Sequence, residues 1–173
     1  MNKRFKYASM LVIVVIIGFC AMYINGDIGI NKSNIEKDAR ISQKVPDDWQ
    51  VAKDTTDTMS AMIFYSESLS NHIFSLYVNR TGFSFGYFFR GGGSLVGVME
   101  GIQEIYIKGY NERAFISMNK QQVSKIEIDN GNSIETIKIE NKKPFVIILP
   151  VNIGSVTIYD INNNVVESQP QQL

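Results

Sequence analysis

The chain has 173 residues, of which 45% are hydrophobic, and its 17 basic residues balance its 17 acidic residues. This composition fits one ordinary globular domain plus extra segments, and the zero net charge gives no support to nucleic-acid binding. The charge is unevenly placed, because Lys3, Arg4 and Lys6 precede the first acidic residue, Asp27. The amino terminus is therefore basic, and the remainder is slightly acidic.

An uncharged apolar run, Ala8–Ile24, follows the basic cluster. As a helix it would be about 26 Å long, close to the roughly 30 Å hydrocarbon thickness of a bilayer. Residues 7–24 are therefore predicted to be a single transmembrane signal-anchor helix, with residues 8–24 in contact with lipid. The positive-inside rule places residues 1–6 in the cytoplasm and residues 25–173 outside the cell membrane.

Two alternatives to an uncleaved anchor remain open. A cleaved secretory signal has the same basic start and apolar run, although no A-x-A pattern follows this one, and cleavage would make the protein secreted. Lipidation would use Cys20, but the preceding Phe19 is bulkier than a lipoprotein signal requires. Because Cys20 is the only cysteine, the outer part of the chain is expected to fold without a disulfide.

Residues 25–48 mix both charges with scattered isoleucines and lack a sustained apolar face. They are predicted to form an extracytoplasmic spacer that holds the next domain roughly 25 Å from the bilayer. Ser33 and Glu36 have capping-box spacing, so a short helix is an alternative within this segment.

From Trp49 the sequence consists of short isoleucine-, valine- and aromatic-rich runs separated by polar or glycine clusters. This pattern predicts an all-β domain at 49–168, an antiparallel β-sandwich or partly open barrel of about nine strands, followed by a disordered tail at 169–173. The predicted strands are Ala61–Tyr65, His72–Val78, Phe83–Phe89, Ile102–Lys108, Ala114–Met118, Val123–Ile128, Ile134–Ile139, Phe145–Leu149 and Val156–Tyr159.

One hairpin and one further strand allow finer predictions. A three-residue loop at 129–131 would pair Ile126 with Ile134 and Lys125 with Glu135, which are more favourable pairs than a two-residue turn would give. The run Pro144–Pro150 is apolar at both odd and even positions, so it is expected to be covered on both faces in the middle of the sandwich.

The aromatic- and glycine-rich stretch Phe83–Gly97 contains the candidate binding surface, which is the loop Arg90–Ser94 together with Gly86 and Phe88. Alternation places four rings, from Phe83 to Phe89, on a face expected to belong to the core, and places Gly86, Phe88 and Arg90 opposite them. The missing side chain of Gly86 leaves a gap for a ring or a ligand. Gly91, Gly92 and Gly93 are expected to form a mobile surface loop, because the residues that complete a phosphate-binding loop are missing.

Trp49 stands at the entrance of the predicted domain, where it either seals the edge of the core or presents an exposed ring to a ligand. The segment Tyr159–Val166 has the opening spacing of a calcium loop. It lacks the glycine at position six and the glutamate at position twelve, so an asparagine-rich turn is expected. No metal site or cofactor is predicted.

No convincing catalytic set is present, since the outer domain has one histidine, His72, and no cysteine. The leading hypothesis is a non-catalytic, membrane-anchored module that binds a protein, a peptide or a cell-envelope component. One alternative is a carbohydrate hydrolase that uses Glu100 with Glu104 or Glu112 as a carboxylate pair. Another is a structural subunit of a membrane assembly.

Overall fold

In the part of the chain that the structure describes, twelve strands in three sheets follow one long amino-terminal helix. The computed structural model describes the backbone of residues 3–80 and 84–173, with side chains from Tyr7 onward. The helices are α1 (Lys3–Ile24), α2 (Ile35–Ser42) and α3 (Val96–Glu100), with a 3-10 turn at Lys32–Asn34 before α2. The strands are β1 (Gln50–Thr55), β2 (Met59–Tyr65), β3 (His72–Asn79), β4 (Tyr87–Gly93), β5 (Ile102–Tyr106), β6 (Glu112–Ser117), β7 (Val123–Asp129), β8 (Ile134–Lys138), β9 (Phe145–Pro150), β10 (Ser155–Asp160), β11 (Val165–Val166) and β12 (Ser168–Gln172).

Helix α1 exposes nearly all of its apolar side chains. Its segment Tyr7–Ile24 has a mean hydropathy of 2.4 and no residue buried in the domain, so it is long and apolar enough to span a membrane. A secretory signal sequence has the same properties.

The sheets stack as layers. Sheet I has the order β1-β2-β3-β4, sheet II the order β12-β5-β6-β9, and sheet III the order β11-β10-β7-β8. Neighbouring strands are antiparallel except for β12, which runs parallel to β5. Sheet II is the middle layer, and the arrangement resembles a sandwich whose sheets do not close into a barrel.

Three apolar cores hold the layers together. Sheets I and II enclose the largest core, which includes Ile63, Leu76 and Ile116. The opposite face of sheet II packs on sheet III around Phe115 and Ile126. The outer face of sheet I is covered by α2. Strand β2 is consequently buried at every position, since each of its faces meets a different core.

Strand β9 confirms the prediction of a strand covered on both faces. Val146 and Ile148 belong to the core between sheets I and II, whereas Phe145 and Leu149 belong to the core between sheets II and III. Within its own sheet β9 is an edge strand. Its edge lies against β1, where the Ile148 amide donates a 2.8 Å hydrogen bond to Asp54 Oδ2 and so joins sheets I and II.

The structure corrects the prediction that residues 25–48 form a spacer. Helix α2 lies within this segment, and its Ile35 and Ala39 are buried against Phe64 and Tyr77 of sheet I. These apolar residues stand four apart and therefore share one face of a helix. The segment is part of the domain, and it does not provide a flexible stand-off from the helix that precedes it.

The predicted disordered tail is also corrected. Residues Ser168–Gln172 form β12, which pairs in parallel with Ile102–Tyr106. The side chains of this strand show no apolar pattern. It is held at the edge of sheet II mainly by backbone hydrogen bonds to β5. Pro170 is compatible with that position, since an edge strand can lack one amide donor.

Eight of the nine predicted strands lie within two residues of their observed bounds, and β1, β11 and β12 were not predicted. The predicted hairpin register is wrong, because Ile126 pairs with Ile137 and Asp129 with Ile134. The loop has four residues, 130–133. Asn130 Oδ1 accepts hydrogen bonds of 2.9 Å from the Asn132 and Ser133 amides and thereby closes the longer turn.

Candidate functional site

The triple glycine is part of a strand and not the predicted mobile loop. Gly91, Gly92 and Gly93 extend β4 and pair with Leu76, Ser75 and Phe74 of β3, respectively. Strand β4 is therefore displaced toward the carboxyl terminus from the predicted Phe83–Phe89. Substitution at Gly92 would be unfavourable, because a Cβ atom there would lie 2.8 Å from the Phe74 carbonyl oxygen. The close packing of backbone against its neighbours explains the glycine at this position.

A β-bulge stands at Arg90. Tyr77 pairs with Phe89 and Leu76 pairs with Gly91, so Arg90 is the additional residue on β4. Bulges turn a side chain away from the regular alternation of a strand. The Arg90 side chain is exposed, and no residue in the described part of the chain forms a hydrogen bond or an ion pair with it.

The outer edge of β4 is occupied over its first part by the chain itself. The Phe85 and Tyr87 backbones exchange hydrogen bonds with residues 27–30, at distances of 2.6–2.8 Å. The predicted gap at Gly86 is filled by this same segment, because a Cβ atom there would lie 2.8 Å from the Ile30 carbonyl oxygen. Beyond Tyr87, none of the described strands pairs with this edge.

The aromatic side chains of this region do not all share the predicted core face. Tyr87 is buried, but Phe85 and Phe89 are 61% and 45% exposed. Phe83 lies outside the described residues. Phe88, which was expected on the opposite surface, is half-buried, and the Arg80 guanidinium lies 3.9 Å from the centre of its ring.

Trp49 is half-buried and packs at the edge of the core beneath α2, as one of the two predictions for it required. The same residue lines a cavity of about 440 Å³, together with His72 and Met99. His72 is 4% exposed, and its Nε2 lies 3.0 Å from the Leu95 carbonyl oxygen. Burial lowers the pKa of His72 despite this hydrogen bond. His72 is thus a buried histidine with a backbone partner at Nε2, and among the described residues its Nδ1 atom has no hydrogen-bond partner.

A charged cluster lies between sheets II and III. Glu104 is 9% and Arg113 14% exposed at their side chains, and Arg113 Nη1 donates to Glu104 Oε1 at 2.6 Å. Tyr106 donates a second hydrogen bond to the same oxygen, and the Ser168 hydroxyl donates to Oε2 at 2.7 Å. The cluster forms one wall of a cleft of about 540 Å³ that is also lined by β10 and β11.

The electrostatics of the cluster favour an ionised glutamate. Burial raises the pKa of Glu104, but the hydrogen bonds from Tyr106 and Ser168 and the charge of Arg113 outweigh this effect, so its pKa is lowered overall. Burial and the hydrogen bond to Glu104 raise the pKa of Tyr106. The carboxylate links β5, β6 and β12. Arg113 Nε is buried, and no group in the described residues forms a hydrogen bond with it.

Glu104 was predicted only as one of two alternative partners of Glu100 in a carboxylate pair. Glu104 faces sheet III, on the same side of sheet II as Phe115, with which it pairs. Glu112 lies on the opposite side of sheet II, which it shares with Ala114 two residues further along β6. Its carboxylate accepts hydrogen bonds from Thr56 and Thr58. Glu100 is exposed at the end of α3. Glu104 and Glu112, the two alternative partners predicted for Glu100, thus lie on opposite sides of sheet II.

Sequence reasoning missed the pairing of Glu104 with Arg113. The available signal was their position on neighbouring strands of a hairpin, since Tyr106 lies opposite Arg113 and Glu104 lies diagonally from it on the same face.

The segment predicted to be an asparagine-rich turn is confirmed as a turn. Asp160 Oδ1 accepts hydrogen bonds from the Asn162 and Asn164 amides, at 2.7 and 2.8 Å, and Asn163 has a positive φ of 61°. The carboxylate of Asp160 is therefore used by the turn itself, which connects the predicted strand β10 to β11, a strand that was not predicted.

Comparisons with known proteins found no counterpart. No family model matches the chain, and neither the curated proteins nor the solved structures contain a match to it.

Proposed function

We propose that this protein is a non-catalytic, membrane-anchored binding module that holds an extended peptide segment of a partner protein against the free part of the β4 edge, outside the cytoplasm. Helix α1 is the anchor, and the basic Lys3, Arg4 and Lys6 set the orientation. The β domain presents the binding edge, and no cofactor takes part.

One observation carries this proposal, namely that the β4 edge already accepts another segment of the chain through isolated β-bridges. Residues 27–30 dock on it through the backbone groups of Phe85 and Tyr87. In an antiparallel ladder, backbone groups alternate in direction, so Phe89 presents its N–H and C=O to the same side as Tyr87. A peptide continuing the line of residues 27–30 would therefore find the next pair of backbone partners in place.

The side chains along this edge indicate the chemistry of the peptide. Arg90 supplies an exposed positive charge without a counter-ion, which favours a glutamate, an aspartate or a terminal carboxylate in the partner. The half-exposed ring of Phe89 favours an apolar neighbour to that acid. The glycines that follow add no side chains that would obstruct an incoming backbone.

Photo-crosslinking in intact cells tests this assignment. A benzophenone amino acid would replace Phe89 in the full-length chain, and the matched control would carry it at Ile134, which is 64% exposed on β8 at the edge of sheet III. We expect an adduct with a defined protein at position 89 that is absent at position 134. The additional substitution Arg90→Glu should abolish it, because the charge pairing would become repulsive.

Two results would contradict the proposal. Equal adducts at positions 89 and 134 would indicate non-specific contact, and an adduct that persists unchanged with Arg90→Glu would remove the acidic-peptide assignment.

Protease added to intact cells tests the location of the β domain. We expect the protease to cleave the β domain and to leave α1 in the membrane. A domain protected from the protease would contradict the orientation.

A further inference from the structure

The connection between α1 and the β domain is short, and hydrogen bonds hold it at both ends. The Asn25, Gly26 and Asp27 amides all donate hydrogen bonds to carbonyl groups in the last turns of α1, at 2.9–3.1 Å. The Asp27 carbonyl oxygen then accepts the Phe85 amide at 2.8 Å. Phe85 is consequently tied to a backbone position only three residues beyond the end of the helix at Ile24.

Exposed apolar side chains continue from the helix onto the domain. Tyr23 and Ile24 are 77% and 82% exposed at the end of α1, and Ile28 and Phe85 are 43% and 61% exposed on the first bridged segment. Ile28 also lines an open cavity of about 440 Å³ with Phe19, Cys20, Tyr23 and Ile24. This cavity joins the last turns of the helix to Ile28 at the start of the domain.

The positively charged Arg80 lies next to the segment that connects α1 to the domain. The Arg80 Nη1 atom is 3.5 Å from the Gly26 carbonyl oxygen, and no carboxylate in the described residues pairs with Arg80. Its guanidinium is held over the Phe88 ring, which fixes its position next to the chain segment that leaves the helix. Arginine beside exposed aromatic and aliphatic side chains is the composition of a surface that rests on lipid headgroups.

We propose that Ile28, Phe85 and Arg80 form a contact surface for the outer face of the bilayer that α1 crosses. Phe85 and Ile28 enter the boundary between headgroups and acyl chains, and Arg80 binds a lipid phosphate. This inference rests on the anchoring of α1 that is part of the proposed function. It implies that the domain sits directly on the membrane in one orientation, with the β4 edge at a fixed height above it.

Depth-dependent fluorescence quenching tests the contact. Trp49 is the only tryptophan, so the substitutions Trp49→Phe and Phe85→Trp together give a full-length protein with a single probe at position 85. The matched control carries Trp49→Phe and Phe89→Trp, which places the probe at another exposed aromatic position four residues along the chain. Both proteins would be reconstituted into phosphatidylcholine–phosphatidylglycerol vesicles, with bromine either absent or attached near the headgroup end of the acyl chains.

We expect emission from position 85 to shift to shorter wavelength in vesicles and to lose intensity with the brominated lipid, while position 89 keeps its emission. Vesicle flotation separates the two levels of the argument. If the protein floats with the vesicles but both probes respond equally to bromine, the contact surface is refuted and the anchoring stands. A protein that fails to float refutes the anchoring, and with it both this inference and the proposed function.

Discussion

Replacing Glu104 by glutamine should destabilise the protein more than any other single change of one carboxylate to an amide. The substitution preserves shape but removes the negative charge that Arg113, 86% buried at its side chain, has as its counter-ion. The amide nitrogen also cannot accept a hydrogen bond, so either Ser168 or the pair of donors at Oε1 loses its acceptor. The guanidinium would then remain buried with its Nε already unpartnered.

The expected decrease in the free energy of unfolding follows from leaving the Arg113 charge buried without its counter-ion. Removing one member of a buried ion pair typically costs about 3–5 kcal/mol. Glutamine retains one acceptor oxygen, so we expect a decrease of about 3 kcal/mol in the free energy of unfolding, a large share of the roughly 5–15 kcal/mol typical of a domain. The double variant with Arg113→Met should lose less than the sum of the two single losses, with a coupling free energy of about 2 kcal/mol.

The pH dependence gives a second, independent signature. The pKa of Glu104 is lower in the folded than in the unfolded protein, so its contribution to stability is fully present above the ordinary glutamate pKa of about 4.3. As the pH falls from there through the lower folded pKa, the unfolded state binds the proton first and this contribution is lost. Glu104→Gln should remove that part of the acid destabilisation.

The assay is urea unfolding of the full-length protein in detergent, followed by the fluorescence of Trp49, which packs on the opposite side of the domain from Glu104. Glu140→Gln is the matched control, since Glu140 pairs with Lys143 at an exposed position and should change stability little. A loss below about 1 kcal/mol for Glu104→Gln, with an unchanged acid transition, would refute the argument that the cluster stabilises the fold.

Two further substitutions test specific contacts. Gly86→Ala should lower the free energy of unfolding by about 2–4 kcal/mol in thermal unfolding, because φ is +87° and the Cβ atom would meet the Ile30 carbonyl oxygen. The control Gly109→Ala has a φ of +88° and open space around the new Cβ atom, so it should lower this free energy by about 1–2 kcal/mol. Equal losses for the two variants would exclude a cost from the Ile30 contact. The lowered pKa of His72 means that stability falls as the pH decreases below about 6.5, because the unfolded state binds the proton first. His72→Gln should flatten this dependence between pH 6.5 and 5, and an unchanged slope would assign it to other groups.

Part of the fold could be predicted because it depends on local patterns. The long apolar run that became α1 is readable in sequence, and so are most of the strands, since apolar residues alternate wherever one face of a sheet is buried. Strand β9 was predicted to be covered on both faces because its apolar residues occupy both parities. These features require no knowledge of which strands are neighbours.

The candidate site could be predicted only in outline. The sequence directed attention to Arg90 and the glycines, but the expected loop is a strand, and the bulge arises from pairing with β3. The gap at Gly86 is filled by residues 28–30, which are more than fifty positions away in the chain. The cluster around Glu104 depends in the same way on the strand register.

The sequence by itself determined the apolar amino-terminal segment, because its uncharged run is continuous. It also determined the β-rich class and the positions of most strands, because burial of one face of a sheet leaves a period of two residues in the chain. Only the tertiary structure decided the rest. Strand β12 is polar and is held through backbone pairing with β5. The apolar face of α2 is short, and its burial depends on contact with sheet I. The free part of the β4 edge exists because none of the described strands pairs with it there. Backbone pairing and long-range contacts leave no such period, so the sequence does not display them.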